Sequence, residues 1–334
     1  MSEKWNIAFN DCYFENHSSK RGCSETLINK NFKWGENTIH IPVIYTCSKG
    51  LILDILIEVE PQKVLNLIDK FNLTEDEFGY NLSKDQKDEI ERENPLNQNF
   101  NTMVIVNKKP IRQCRSCGET WFPYMPKNIE PSEDSKELLE HYRKSLDKAW
   151  SIHRIYFEWV TVRRPKISNI EITLSQNKAN FPAEHFHNPL NGDKIEITNP
   201  INGQKHILTV INSEKQNLGE HIFEPGMEIP KNYTVMQYKI EPDPGIGNFY
   251  INDVIDPDFP RKTNLNKKPK LNIESNEASA IGIIGGIDGP IAVISSSKNN
   301  RTATSSTHFN QNYDIEWRAV FLKKQLEDVS VKLI

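Results

Sequence analysis

Two short runs hold the side chains best suited to chemistry. The first is Cys114-Arg115-Ser116-Cys117-Gly118. A C-x-x-C in a tight turn lets two thiolates face one ion, and the glycine after it eases that turn. Zinc then needs two more ligands. Cys12, Cys23 and Cys47 are the other thiols, and His17 and His40 are the upstream imidazoles. The candidate set is Cys114, Cys117, Cys12 and Cys23 around a structural zinc ion. Two further readings stand beside it. A thioredoxin-like redox pair wants the motif at a helix N-terminus after a strand, and Glu119 to Pro126 does not read as a helix. Unligated thiols in a turn require nothing more.

The second run is His185-Phe186-His187. Residues two apart on a strand face the same side, so both imidazoles can reach one metal. Asp193, Glu196, His206 and His221 are available to complete such a site. The spacing to Glu196 is longer than in the His-x-His and Glu pattern of cupin-type sites, and a Pro-Asn-Gly turn intervenes. A metal-dependent enzyme built on His185 and His187, with His206 or His221, is one functional expectation. Two surface histidines in a loop is the plainer one. No Gly-x-Ser-x-Gly elbow, P-loop, His-Glu-x-x-His or kinase motif is present.

The elements that would position these residues follow from local pattern. Thr38–Thr46 and Leu51–Val59 are rich in β-branched residues and joined by Cys47-Ser48-Lys49-Gly50, which reads as a hairpin. Asp54 and Glu58 interrupt the second run, so one face is expected to be partly polar. Pro61 starts a helix, with Val64, Leu65, Ile68 and Phe71 at helical spacing. Ser83 and Gln86 form a capping box for a second helix, which Asn94-Pro95 ends. Met103–Val106 is a strand. Ser132 caps a long helix over 133–153, with Leu139, Tyr142, Leu146, Ala149, Trp150 and His153 along its apolar stripe. Tyr156–Val162 is a strand.

Beyond Ile167 the sequence alternates, with many Asn-Gly and Pro turns. Ile170–Ser175, Lys194–Thr198, His206–Ile211 and Thr234–Ile240 read as strands. A short repeat, Asn188-Pro-Leu-Asn-Gly-Asp-Lys194 and Asn199-Pro-Ile-Asn-Gly-Gln-Lys205, places Asn191-Gly192 and Asn202-Gly203 in expected type I′ turns. The fold class expected is α+β. An N-terminal α/β-hairpin domain at 1–165 precedes a mostly antiparallel, sandwich-like β domain at 166–334. Within the latter lie a basic loop or linker at 261–270 and an apolar glycine-rich segment at 278–297.

Ala280-Ile-Gly-Ile-Ile-Gly285-Gly-Ile-Asp288-Gly289-Pro290 resembles a segment of the β subunit of sodium-translocating decarboxylases. That resemblance implies a re-entrant membrane segment, with Asp288 as the ion-binding carboxylate among Gly285 and Gly289. Ile291 stands where that family has Thr. A transporter site is enclosed by several spanning helices, whereas this chain offers one candidate span. An aspartate at a helix centre also costs about 2.5–3.5 kcal/mol. Two apolar strands joined at Asp288-Gly289, or a self-associating or partner-docking segment, are the alternatives.

Composition bounds the rest. With 334 residues, two domains are the default. A net charge of −4 leaves no basic field for nucleic acid or an anionic membrane. Five cysteines and the absence of a secretory pattern in Met1–Asn6 favour reduced thiols in a cytoplasmic protein. The functional expectation is a soluble non-enzymatic binding or assembly protein, with a protein partner or a second copy docked through 278–297. Zinc is the one cofactor suggested.

Overall fold

Side chains in Leu51–Val59 alternate between two faces, and both faces are buried. The computed structural model that shows this describes residues 5–11, 14, 21–73, 82–124, 132–161, 163–219, 227–262 and 300–334. The first elements are β1 (Ser24–Trp34), β2 (Asn37–Thr46), β3 (Gly50–Val59), α1 (Pro61–Phe71), α2 (Lys84–Glu93), β4 (Phe100–Val106) and β5 (Lys109–Trp121). After them come α3 (Glu133–His141), β6 (Ala149–Glu158), β7 (Ile170–Gln176), β8 (Ala179–His187), β9 (Lys194–Thr198) and β10 (Lys205–Asn217). The chain continues through β11 (Met227–Glu228), β12 (Asn232–Glu241), β13 (Phe249–Asp253) and β14 (Arg261–Lys262). It ends with β15 (Arg301–Thr304), β16 (Glu316–Lys323) and β17 (Val329–Lys332).

Two compact units result, Met1–Ala179 with Lys324–Ile334, and Asn180–Lys323. β7 therefore belongs to the first unit, although it follows the expected boundary at 165. With 50% strand and 11% helix, the fold is mostly β, which corrects the α+β expectation. The largest single correction is the helix drawn over 133–153. Only Glu133–His141 is helical. Arg143 takes a positive φ of 53°, and the amides of Arg143 and Lys144 bond back to Glu140 and Leu139 carbonyls, which closes the helix. Ala149 and Trp150 then open β6. This strand hydrogen-bonds β3 on one side and β5 on the other, so two full ladders outweigh the helical spacing of its apolar residues.

The first unit is an eight-stranded sheet in the order β1-β2-β3-β6-β5-β4-β7-β17. It curls into a nearly closed, barrel-like form. Edge residues Phe32 and Trp34 share one core with Val329 and Val331 from the opposite edge strand. Trp34 Nε1 donates to Glu327 O at 2.7 Å. Leu51, Leu53, Ile55 and Ile57 face this interior, as do Ile155 and Phe157. Register shifts between His40 and Ile44 bracket Pro42 in β2, a position where a bulge accommodates the missing N–H. The local signals of the helices hold. Pro61 opens α1, and both hydrogen bonds of the Ser83–Gln86 capping box are made.

The outer face of the same strands carries a buried polar group. Asp54 of β3 and Arg154 of β6 are direct register partners and wholly buried. Arg154 Nε and Nη2 donate to Asp54 Oδ1 and Oδ2, each at 2.8 Å. Tyr142 OH donates to Asp54 Oδ2 at 2.6 Å and also meets Tyr45 OH at 2.7 Å. Trp5 Nε1 donates to Tyr45 OH at 3.0 Å. Burial pushes the Tyr142 hydroxyl well up, helped by the Asp54 charge. Burial opposes the Arg154 charge, yet the adjoining Asp54 carboxylate more than offsets it and holds the guanidinium protonated.

The second unit sets the sheet β15-β12-β10-β9 against β13-β16-β8, with β11-β14 as a small ribbon. Leu208, Met236, Tyr238, Phe249, Trp317 and Phe321 sit in the core shared by strands of both sheets. At the two repeated turns Gly192 and Gly203 take positive φ, but Asn191 and Asn202 do not. The turns are thus not type I′. Asn199 instead accepts the Gly203 amide on its carbonyl and the Ile201 amide on its side chain.

Replacing Arg154 by Met alone should cost about 3–5 kcal/mol, because it strands a carboxylate in a dry site. Adding Asp54→Leu should recover a large part of that loss. Denaturant unfolding of the single and double variants checks this, and a double variant no more stable than the single would contradict it.

Candidate ligand-binding cleft

The wall of the first unit splits between β4 and β5. Lys109–Ile111 pair with Val104–Val106. Beyond that point β4 continues along β7, and β5 continues along β6. A register shift between Gln113 and Arg115 marks the divergence. A cleft of about 600 Å³ opens where the ladder stops.

One wall carries Gln113, Ser116, Gly118 and Thr120 from β5, with Ser151, His153 and Ile155 from β6. The other is the segment Leu96–Phe100 with Asn177. That segment is fixed by its own amides. Asn94 Oδ1 accepts the Leu96 amide at 2.9 Å, and Gln98 Nε2 donates to Pro95 O at 2.7 Å. Asn101 Nδ2 donates to Asn177 Oδ1 at 2.6 Å. Gly118 is the register partner of His153, and a Cβ there would lie 3.5 Å from His153 Nδ1. The glycine thus leaves the cleft side of the imidazole uncovered.

His153 is the central polar group. Its Nε2 is 2.9 Å from Ser151 Oγ, and its ring meets Phe100 edge-on with centroids 4.7 Å apart. Burial pushes its pKa down to about 4, so the ring is neutral at physiological pH. Glu119 is the one carboxylate among the lining residues, but it alternates with Gly118 and Thr120 along β5, so its side chain turns to the opposite face, where it accepts a hydrogen bond from Ser135 Oγ. The cleft is therefore lined by amides, hydroxyls and a neutral imidazole over Phe100 and Ile155. Such a surface offers donors and acceptors together, without a net charge.

Cys114 and Cys117 lie on β5, not in a tight turn. Their Sγ atoms point at separate carbonyls, Tyr156 O at 3.4 Å and Arg154 O at 3.7 Å. Burial raises both thiol pKa values, that of Cys117 to about 11. Cys23 is bonded to Cys47 across the β1–β2 pair, which corrects the expectation that every thiol is reduced. The structure thus does not bring Cys23 to the Cys114 and Cys117 pair as a ligand. Cys12 lies outside the described residues.

His185 and His187 do share a face of β8, with Phe186 buried between them, and both are exposed. His185 Nδ1 pairs with Glu316 Oε1 at 2.6 Å. His206 is buried on β10 and meets Pro242 O through Nδ1. His221 lies outside the described residues, as do Gly285, Asp288, Gly289 and the whole of 278–297. Among the described residues no three His, Cys, Asp or Glu side chains gather as a metal site.

No protein-family model, curated protein or solved structure matches this chain. The site is therefore read from its geometry. Sequence reasoning passed over Ser151, Phe100 and Gln98, and it placed His153 on a helix stripe. The available signal was the period-two alternation of Trp150, Ile152, Arg154 and Tyr156 against Ser151, His153, Ile155 and Phe157. In a strand that pattern puts Ser151 and His153 on one face.

An unfolded histidine takes its proton near pH 6.5, whereas His153 in the fold does so near pH 4. Between these values the unfolded chain binds the extra proton. Stability should be fully present above pH 6.5 and decline as pH falls toward 4. The ring still meets the open cleft, so the decline is on the order of 2 kcal/mol. Unfolding curves of His153→Gln across this window should be flatter than those of the parent protein. Thiol labelling at pH 8 offers a second check. Exposed Cys114 should react well before half-buried Cys117, and equal rates would refute the placement.

Proposed function

We propose that the first unit is a non-catalytic binding module whose cleft takes an uncharged, hydrogen-bonding ligand. The observation that carries this is the split between β4 and β5, which opens about 600 Å³ lined by amides, hydroxyls and neutral His153. Concave sites with an apolar floor and a few fixed polar groups are the usual form of ligand pockets. Phe100 and Ile155 supply such a floor here. A charged ligand would lose its hydration without gaining a counter-charge. The amide side chains opposite are already tied down, so little ordering is required on binding.

One observation favours a second reading. The Ser151 and His153 hydrogen bond has the geometry of a nucleophile and its base. Against it, Ser151 is 1% exposed and His153 is a weak base. Labelling of Ser151 by a fluorophosphonate probe, abolished in His153→Gln, would support that reading.

The binding reading is tested by thermal shift over a panel of neutral sugars, nucleosides and short peptides. A ligand at one hundred times its Kd stabilises the fold by about 2.7 kcal/mol, which a melting curve resolves. Ser116 is exposed and lines the cleft, so Ser116→Trp fills the site at little cost to the fold. Shifts should appear in the parent protein and vanish in Ser116→Trp. A panel that gives no shift sensitive to this substitution rejects the proposal.

A further inference from the structure

We infer that the ligand of this cleft is an extended polypeptide segment that adds as a strand to the free edge of β5. The inference rests on the binding reading above and names its ligand class.

β5 has 13 residues, and three of them, Lys109–Ile111, carry the ladder to β4. From Arg112 to Trp121 the strand pairs with β6 alone among the described strands. In an antiparallel strand every second residue turns its N–H and C=O to the same edge. Unpaired among the described residues, this edge presents a regular row of donors and acceptors along the cleft. After the irregularity at Gln113/Arg115 the register with β6 is unbroken to Trp121, so the row is straight.

Exposed edges of this length are normally blunted by proline, by lysine or by inward-facing charge. From Ile111 to Trp121 there is no proline and no lysine. Arg115 is engaged elsewhere. Its Nη2 donates to Phe9 O at 2.8 Å, and its guanidinium lies 3.8 Å from the centre of the Tyr156 ring. Glu119 is engaged by Ser135. From Ser116 onward, what remains beside the edge is Ser116, Gly118 and Thr120, all small and exposed, while the exposed Arg112 stands at its far end. They leave space where an incoming backbone would run.

The floor of the cleft is matched to alternating side chains. Every second residue of an added strand would face His153, Ile155 and Phe100, and the residues between would point to the other face of the sheet. A compact small molecule can satisfy only one or two of the edge groups. A strand satisfies them along the whole row, with specificity left to its inward side chains. The uncharged lining selects segments whose inward residues are apolar or hydrogen-bonding rather than ionic.

The test uses the full chain and a phage-displayed library of random nine-residue peptides, selected on the parent protein. Enriched peptides are then synthesised in two forms, with backbone N-methyl groups at odd or at even positions. The expected result is enrichment that Ser116→Trp abolishes, with at least tenfold weaker binding for one methylated form and little change for the other. Circular dichroism confirms that Ser116→Trp is folded. Peptides that bind in the cleft but tolerate both methylation patterns would overturn strand addition while leaving the binding reading intact. So would a failure to enrich peptides alongside a neutral small molecule whose thermal shift Ser116→Trp removes. Neither peptide nor small-molecule binding would overturn both.

Discussion

The Asp54–Arg154 pair is the constraint on which the first unit turns. Two ions held out of water lose several kcal/mol of hydration each, and mutual attraction repays this only with good geometry and satisfied hydrogen bonds. Here the contact is bidentate, and Tyr142 donates to the remaining carboxylate position. The pair also fixes register, because Asp54 and Arg154 stand directly opposite one another on β3 and β6. A slip of one residue would exchange the two faces of the strand. Arg154 would then enter the apolar interior, and His153 would leave the cleft. The ion pair on one face thereby sets the ligand surface on the other.

The cap over that pair follows from the same need. Tyr142 comes from the end of α3, where the positive φ of Arg143 turns the chain back toward β6. Trp5 stacks on His141 with centroids 3.8 Å apart and bonds the Tyr45 hydroxyl. Phe14 lies under the Arg154 guanidinium. Helix, N-terminal segment and sheet meet where a charge must be kept dry. With the cap in place, β3 is buried on both faces, which explains why it is apolar but for Asp54 and Glu58, and the polar residues of β6 within the buried stretch are tied into the ion pair or the cleft.

The cleft arises where this continuity fails. β4 and β5 share three pairs and then follow different neighbours. Sheets that curl must either close every ladder or leave an edge, and an edge with small uncharged side chains is a natural place for another backbone to pair. His153 is neutral there, and the Glu119 carboxylate is turned to the other face of β5, so neither brings charge to that place.

Much of the local structure was legible in the residues themselves. The β2–β3 hairpin, the start of α1 at Pro61 and the capping box of α2 depend on contacts within a few residues, so local pattern sufficed. Asp54 and Glu58 announced polar positions on an otherwise apolar strand. What sequence could not supply was the partner of Asp54, 100 residues away. The same limit made Ala149–His153 look helical, since an amphipathic spacing cannot reveal two neighbouring ladders. It also made Cys114 to Cys117 look like a turn, although β6 draws that stretch into a strand. Caps, turns and alternation belong to the sequence. The register of β3 on β6, the side of the sheet each residue faces and the opening between β4 and β5 belong to the tertiary structure, because each depends on strands that meet only when the sheet closes.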